Sequence, residues 1–161
     1  MIDKEIIRQA VLVQLNKYYQ NAVQAANTAH AAATNEESKA ENKYDTRGVE
    51  ASYLAEGQSR RVAELEASIA VYEGLHLSKF DENTKIRLTA LVNLVDSDDN
   101  NRCLFVGPDG GGLILALSIG ECIVVTPMAP LGKALIGKCV GDEVVINAAG
   151  QTISYEILSI S

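Results

Sequence analysis

The chain has 161 residues, enough for one or two small domains, and its 47% hydrophobic and 22% charged residues exclude the disordered and fibrous classes of protein. Its 14 basic and 21 acidic residues give a net charge of −7, which disfavours autonomous binding to nucleic acid or to anionic lipid, because both require a basic surface. No apolar run approaches the roughly 20 residues of a membrane helix, so we expect no membrane association.

The cysteines indicate a reducing environment. Cys103, Cys122 and Cys139 have no CxxC spacing, and only His30 and His76 could help them to form a zinc site. An odd number of cysteines without such a spacing favours reduced, structural thiols. The amino terminus also lacks the basic start and unbroken apolar core of a secretory signal. We therefore expect a cytoplasmic protein that is not exported.

The first half of the chain has the pattern of two helices. There is no proline between Asp3 and Leu77, and apolar or small residues recur there in two series with spacings of three and four. The two series are Ile7, Val11, Leu15, Tyr18, Ala22, Ala25, Ala29 and Ala32, and then Leu54, Gln58, Val62, Leu65, Ile69, Tyr72 and His76. These spacings are typical of a coiled-coil seam. The polar stretch between the two series predicts an antiparallel coiled-coil hairpin over residues 1–79.

The predicted hairpin has a thin shaft and a charged tip. Each arm would extend roughly 45 Å, and alanines dominate the uncharged distal part of the first arm, between Lys17 and Glu36. The acids around the predicted turn are Glu36, Glu37, Glu41, Asp45 and Glu50. This charge either keeps a loop soluble and caps the second helix, with Thr34 or Asn35 and Glu37 as a capping box, or delivers carboxylates to a distant site.

From Lys85 onward the periodicity changes to that of strands, and residues 85–95 alternate as one strand would. The other predicted elements are strands over residues 102–106, 113–117, 122–126, 143–146 and 152–160, and a short helix over residues 131–136. The glycine-rich residues 107–112 lack the Gly-Lys-Ser/Thr of a phosphate-binding loop, so we interpret them as a turn. We predict an α+β chain, with a small α+β domain over residues 80–161 and a mainly antiparallel sheet. Ten acids and five bases from Asp81 onward suit either a basic partner or simple solubility.

A segment of this second domain carries a family resemblance. Residues 129–144, APLGKALIGKCVGDEV, closely resemble the C-terminal signature of the bacterial transcript-cleavage factors GreA and GreB. That signature has Ser-Pro-Ile/Leu-Gly/Ala, then Ala-Leu-Ile-Gly-Lys, then Val-Gly-Asp before a closing strand. The resemblance extends to residues 152–157 and back to residues 106–109. It implies a C-terminal domain similar in fold to FKBP-type isomerases, preceded by a coiled-coil hairpin.

The resemblance implies a factor that binds RNA polymerase and is not itself an enzyme. In the family, the C-terminal domain docks at the rim of the polymerase secondary channel and the hairpin passes down the channel. Carboxylates at its tip then help to hold a second Mg²⁺, shared with the polymerase active site, so that the polymerase cleaves a backtracked transcript. We expect no cofactor on the isolated factor and contact with nucleic acid only through the polymerase complex. Because the hairpin satisfies its own seam, we also expect a monomer.

The tip of this sequence departs from the family pattern, because the GreA-type tip motif is not present intact. One alignment places Thr46 and Val49 where the acids should be. A second alignment compares residues 37–48 with the tips of divergent Gre-like proteins. On the second alignment, the predicted catalytic carboxylates are Glu41, Asp45 and Glu37, with Glu41 and Asp45 as the Mg²⁺ ligands.

The resemblance also favours one loop as the polymerase-docking surface, although Ala129 stands where the family has a serine. The predicted docking residues are Thr126, Pro127, Met128, Pro130, Leu131 and Gly132. The two prolines fix the backbone and would present Met128 and Leu131 at low entropic cost. The alternative is a loop that only closes the sheet, with Leu131 buried.

The predicted function is therefore that of a polymerase-binding elongation factor that stimulates transcript cleavage. The alternative within the same family is a regulator that occupies the secondary channel without promoting cleavage. A peptidyl-prolyl isomerase is disfavoured, because such sites are lined by aromatic side chains and the only aromatics beyond Lys85 are Phe105 and Tyr155. A homodimeric coiled-coil adaptor is the remaining alternative.

Overall fold

The computed structural model describes residues 2–34 and 47–161. They fall into two compact units, one formed by Leu12–Glu73 and the other by Met1–Val11 together with Gly74–Ser161. The predicted tip carboxylates Glu37, Glu41 and Asp45 lie outside the described residues. No helix in the described ranges is long and apolar enough to cross a membrane.

The first unit contains most of two antiparallel helices, as the sequence predicts. Helix α1 spans Lys4–Thr34 and helix α2 spans Arg47–Glu73. The hydroxyl of Tyr19 in α1 donates a hydrogen bond to a carboxylate oxygen of Glu66 in α2 at 3.1 Å, and both helices bury residues of the predicted seam. The predicted helical hairpin is therefore confirmed.

Seven of the fifteen predicted seam positions are buried, and four are exposed. The buried seam positions are Ile7, Val11, Leu15, Ala22, Ala29, Leu65 and Tyr72. Leu54 is 57% exposed, and its neighbour Ala55, 4% exposed, takes the inward position. With Ala55 the spacings of three and four alternate through Gln58 and Val62, whereas Leu54 gives two spacings of four in succession. Tyr18 is also exposed, at 44%, and so are Ala32 near the end of α1 and His76 beyond the end of α2.

The second unit contains a six-stranded sheet. Its elements are β1 Leu91–Asp96, β2 Asn101–Val106, β3 Ile114–Leu117, β4 Gly120–Val125, helix α3 Pro130–Leu135, β5 Glu143–Ala148 and β6 Gln151–Ile160. The strand order is β3-β4-β2-β1-β6-β5. Strands β2 and β4 are parallel, and the other neighbouring strands are antiparallel. The predicted mainly antiparallel sheet with one short helix is therefore confirmed.

The prediction of one strand over residues 85–95 is wrong in its first half. The strand begins only at Leu91, and before it Thr89 has a φ of 71°. Thr89 is 1% exposed, its backbone N–H donates to the carbonyl of Val106, and its hydroxyl oxygen accepts from the N–H of Ser78. Leu88 is 42% exposed rather than facing the core. These bonds to distant residues hold a turn that the local alternation does not reveal.

One hydrophobic core lies on the face of the sheet that α3 covers. Its buried members are Ile86, Ala90, Val92, Leu94, Leu104, Val106, Val125, Leu135, Val144, Tyr155, Ile157 and Ile160. Leu135 of α3 is fully buried, while Leu131 and Ala134 pack against the same cluster. The core thereby fixes α3 and the loop that precedes it onto the sheet.

Candidate functional site

The predicted docking residues lie between the end of β4 and the first turn of α3. Thr126 and Pro127 are half-buried, Pro130 is exposed, and Met128 is 77% exposed. Leu131 packs against the hydrophobic core instead of projecting from the loop. The segment therefore presents Met128 outward, whereas Leu131 anchors it.

This loop is held in place by a close approach of two backbone segments. The carbonyl of Thr126 accepts a hydrogen bond from the N–H of Ala129 at 3.1 Å, and the carbonyl of Ala129 accepts one from the N–H of Lys133 at 2.8 Å. A β-carbon at Gly132 would lie 1.8 Å from the carbonyl oxygen of Thr126. Only glycine fits at this position. The fold alone therefore explains why residue 132 is a glycine, whether or not the loop docks on a partner.

Helix α3 begins without a side-chain cap. Ala129 is its N-cap residue, with φ −69° and ψ 152°, and its side chain offers no oxygen to the free N–H groups of the first turn. Pro130 follows at the first turn, where its lack of an N–H costs nothing. The serine of the family signature would supply the cap that Ala129 lacks.

The rest of the signature also serves the fold. Gly137 and Gly141 have φ values of 83° and 84°, a region that other residues rarely adopt. A carboxylate oxygen of Asp142 accepts a hydrogen bond from the N–H of Cys139 at 2.8 Å and closes the turn before β5. The N–H of Gly141 donates to the carbonyl of Ile157. Most of the signature therefore builds the connection from α3 to β5, and the spacing of its glycines was the sequence signal for that role.

The distal part of the hairpin has a groove lined mainly by small and uncharged side chains. It is lined by Asn21, Gln24, Ala25, Thr28, Ala29 and Ala32 of α1 and by Leu54 and Gln58 of α2. Helix α1 carries no formal charge beyond Lys17. On α2, Arg60 pairs with Glu56 at 3.4 Å and Arg61 pairs with Glu64 at 3.6 Å. The hydrogen bond from Tyr19 to Glu66 raises the pKa of the tyrosine hydroxyl.

Apolar side chains are exposed on α2 close to the predicted tip. Val49 is 46% exposed, Tyr53 is 70% exposed and Leu54 is 57% exposed. Val49 and Tyr53 are four residues apart and share one face of the helix. The spacing of apolar residues predicts Leu54 as a seam residue and therefore does not reveal this surface. The alternative register through Ala55 is also present in the sequence.

The described residues offer no metal centre of their own. Within residues 2–34 and 47–161, no group of three or more histidine, cysteine, aspartate or glutamate side chains could hold a metal ion. The predicted ligands Glu41 and Asp45 are outside these ranges. The glycine-rich residues 107–112 join β2 to β3, and Asp109 accepts a hydrogen bond there from the N–H of Gly110 at 2.7 Å.

Comparison with known proteins identifies the family. The model of the family described as "Transcription elongation factor, GreA/GreB, C-term" matches residues 81–161, just over half of the chain. The chain belongs to the GreA/GreB family. This confirms the resemblance found in residues 129–144, which lie within the matched region.

Individual GreA/GreB proteins are similar over part of their length. Transcription elongation factor GreA of Thermodesulfovibrio yellowstonii is 38% identical over 103 residues, which are 63% of this chain and 60% of that protein. GreA of Beijerinckia indica is 36% identical over 114 residues, 70% of this chain and 66% of that protein. The matches thus span less than two thirds of the length of these relatives.

Solved structures from the same family are also similar to this chain. The crystal structure of GreA factor homolog 1 (Gfh1) of Thermus thermophilus is 19% identical, with a TM-score of 0.39, over 93% of this chain and 94% of that one. The factor GreA/GreB from Nitrosomonas europaea is 17% identical, with a TM-score of 0.37, over 70% of this chain and 92% of that one.

Proposed function

We propose that this chain is a transcription elongation factor that binds RNA polymerase, inserts its helical hairpin into the secondary channel and stimulates cleavage of backtracked transcripts. The observation that carries the proposal is the match of residues 81–161 to the GreA/GreB family. The curated relatives are themselves named as transcription elongation factors. The factor would act in the polymerase complex and not as an enzyme alone.

The geometry of the loop before α3 supports its role in docking. Met128 is 77% exposed, and its backbone is restrained by Pro127, Pro130 and the hydrogen bond between Thr126 and Ala129. A backbone held in this way loses little further freedom on binding, which favours affinity. Met128 also adapts readily to an apolar pocket, because its side chain is unbranched and polarizable.

The hairpin has the dimensions and the surface of an element that enters a narrow channel. Helix α1 has 31 residues and is therefore about 45 Å long. Alanines along its distal part keep the shaft thin, and α1 carries no formal charge beyond Lys17. The exposed side chains of Val49, Tyr53 and Leu54 would be covered by a channel wall.

The chemistry proposed for the tip depends on its carboxylates. Glu41 and Asp45, with Glu37 as a third acid, would supply oxygen ligands to a Mg²⁺ ion shared with the polymerase active site, since Mg²⁺ prefers such ligands. A pair of solvated carboxylates binds Mg²⁺ weakly, and Mg²⁺ keeps several waters unless other ligands replace them. The polymerase must therefore complete the site, so the nuclease activity belongs to the complex.

The test is transcript shortening in a stalled, backtracked RNA polymerase complex with Mg²⁺ and a 5′-labelled transcript. We expect the wild-type chain to shorten the transcript and the Glu41→Ala/Asp45→Ala variant to bind without shortening it. The matched control is Glu56→Ala/Glu64→Ala, which makes the same change in net charge on the shaft. Both control residues form only exposed ion pairs, so their loss should barely change stability. Shortening that survives in the tip variant would contradict the assignment of these acids.

A second function within the same family is occupation of the channel without cleavage. The specific observation in its favour is the tip sequence. In the second alignment, Asn42 stands where the divergent Gre-like tips have an aspartate. Polymerase binding without transcript shortening by the wild-type chain would support this regulator. Absence of binding to the polymerase would reject both functions.

A further inference from the structure

Two cysteines face each other across the parallel strands of the sheet. Cys103 in β2 and Cys122 in β4 are direct register partners, and residues at matching positions of neighbouring strands project from the same face. Both cysteines are free thiols. Neighbouring strands lie about 4.8 Å apart, which falls within the range of roughly 4.4–6.8 Å between the α-carbons of a disulfide. The backbone therefore already has nearly the geometry that a cross-link needs.

The two thiols differ in exposure and in acidity. Cys122 is fully buried, whereas Cys103 is half-buried and lines an open groove with Asn93, Leu158 and Ser159. The Cys122 thiol donates a hydrogen bond to the Cys103 sulfur, which lowers the pKa of Cys103. The same bond, with burial, raises the pKa of Cys122. Cys103 is thus the thiol that an oxidant can reach, and Cys122 is positioned to react with it afterwards.

We propose that Cys103 and Cys122 form an oxidation site, in which a hydroperoxide converts the two thiols into a reversible disulfide between β2 and β4. This inference is independent of the proposed function. It depends on the register, the unequal exposure of the two thiols and the groove beside Cys103. Cys139 lies outside this pair, in the turn before β5.

The reaction balances with hydrogen peroxide as the oxidant. The Cys103 thiolate attacks one peroxide oxygen, so that an S–O bond forms and the O–O bond breaks, and the departing hydroxide takes up the thiol proton as water. The Cys122 sulfur then attacks the sulfenic sulfur of Cys103. The S–S bond forms, the S–O bond breaks, and the hydroxyl leaves as water with the Cys122 proton. The two thiols lose two electrons in total, and one peroxide becomes two waters.

Reduction of the disulfide would follow from its position. A small thiol could reach the Cys103 sulfur from the groove, and accessible disulfides are the ones that exchange readily. Attack there would release the Cys122 thiol, and a second thiol would then free Cys103. The pair would therefore cycle between the two states without unfolding of the sheet.

The experiment uses the full, reduced chain treated with hydrogen peroxide, followed by alkylation and mass spectrometry under denaturing conditions. Before alkylation, we expect a product two hydrogen masses lighter than the reduced chain. After alkylation, only one of its three cysteines should be modified, and dithiothreitol should restore all three thiols. Trypsin leaves both cysteines on one peptide, since no lysine or arginine lies between Arg102 and Lys133. Further cleavage of that peptide beside Asp109 should then give two fragments, which separate only after the disulfide is reduced.

Three variants make the assignment specific. Cys139→Ser should still form the cross-link, whereas Cys103→Ser should not. Cys122→Ala should stop at a sulfenic acid on Cys103, which a dimedone probe captures. The proposal is overturned if the bridge involves Cys139 or a second chain, if Cys103 is converted to a sulfinic acid while Cys122 stays alkylatable, or if no thiol is lost. Because Cys103 is only half-buried, Cys103→Ser provides the negative control even if the Cys122 variant fails to fold.

Discussion

The ammonium group of Lys4 lies over the ring of Phe80, 4.3 Å from its centroid. The guanidinium of Arg87 lies 5.1 Å from the same centroid, so two cations share one aromatic side chain. Lys4 also donates a hydrogen bond to the carbonyl of Ser78. Partial burial, together with the charge of Arg87, lowers the pKa of Lys4 from 10.5 to about 8. Lys4 therefore releases its proton more readily in the folded chain than in the unfolded chain.

The first prediction concerns the effect of pH on stability at this cluster. Between pH 8 and 10.5, the unfolded chain keeps a proton that folded Lys4 has released. The contribution of Lys4 to the free energy of unfolding should therefore increase as the pH rises through that window. Lys4→Met removes the group that titrates. The free energy of unfolding of the wild type, relative to that of the variant, should therefore increase from pH 8 to pH 10.5. Urea unfolding of both proteins at a series of pH values measures it, with Lys79→Met as the control for replacing a lysine. Parallel pH profiles for wild type and Lys4→Met would contradict it.

The second prediction compares one substitution at two glycines. Gly132→Ala places a β-carbon 1.8 Å from the carbonyl oxygen of Thr126, so α3 must move away from the loop. We expect a loss of about 2 kcal/mol or more, at the upper side of the usual cost of overpacking. In Gly57→Ala, the β-carbon meets nothing within 4 Å, and alanine should stabilise the interior of α2 by about 0.5–1 kcal/mol.

Urea unfolding measures both changes, and hydrogen exchange over residues 130–135 localises the first. If Gly132→Ala did not destabilise the chain, the close approach of Gly132 to Thr126 would not limit the fold.

The sequence could predict the elements whose signals are local. The two helices, the turn after β1 and the five later strands all follow from the spacing of apolar residues and from the positions of glycine and proline. Leu54 was misplaced because the choice between it and Ala55 depends on the facing helix, where small residues such as Ala29 are buried. The turn at Thr89 was missed because it depends on bonds to Ser78 and Val106.

The candidate site was predicted only in part, for a similar reason. Residue types and a family signature located the loop before α3, but they did not distinguish Met128, which is exposed, from Leu131, which packs against the core. The pairing of Cys103 with Cys122 depends on the parallel register of β2 and β4. No spacing rule within the sequence specifies that register. The assignment of the tip carboxylates stays a prediction.

The third prediction concerns the missing side-chain cap at the start of helix α3. Ala129 has the extended backbone of an N-cap residue but no side-chain oxygen. In Ala129→Ser, the hydroxyl would accept a hydrogen bond from a free N–H of the first turn of α3 and should stabilise the fold by about 0.5–1 kcal/mol. Urea unfolding measures the change. Ala129→Val, which cannot cap, should not stabilise the chain, and equal behaviour of the two variants would reject the capping explanation.

The fourth prediction concerns the proposed docking loop. Met128 is 77% exposed, so its truncation removes few contacts within the chain and should change stability by less than about 0.5 kcal/mol. If Met128 inserts into a pocket of the polymerase, Met128→Ala should weaken binding by about tenfold, which corresponds to about 1.4 kcal/mol. Val145→Ala is the matched control, because Val145 is 54% exposed on β5 of the same unit and lies outside the proposed docking loop.

Affinity for purified RNA polymerase, measured by titration of a fluorescently labelled chain, separates the two variants. A loss confined to Met128→Ala would place the loop before α3 in the interface. Equal affinities for wild type and Met128→Ala would remove Met128 from the interface. A loss of affinity in Val145→Ala alone would instead indicate docking through β5, the edge strand that carries Val145. Circular dichroism and urea unfolding of both variants exclude a loss of affinity that comes only from misfolding.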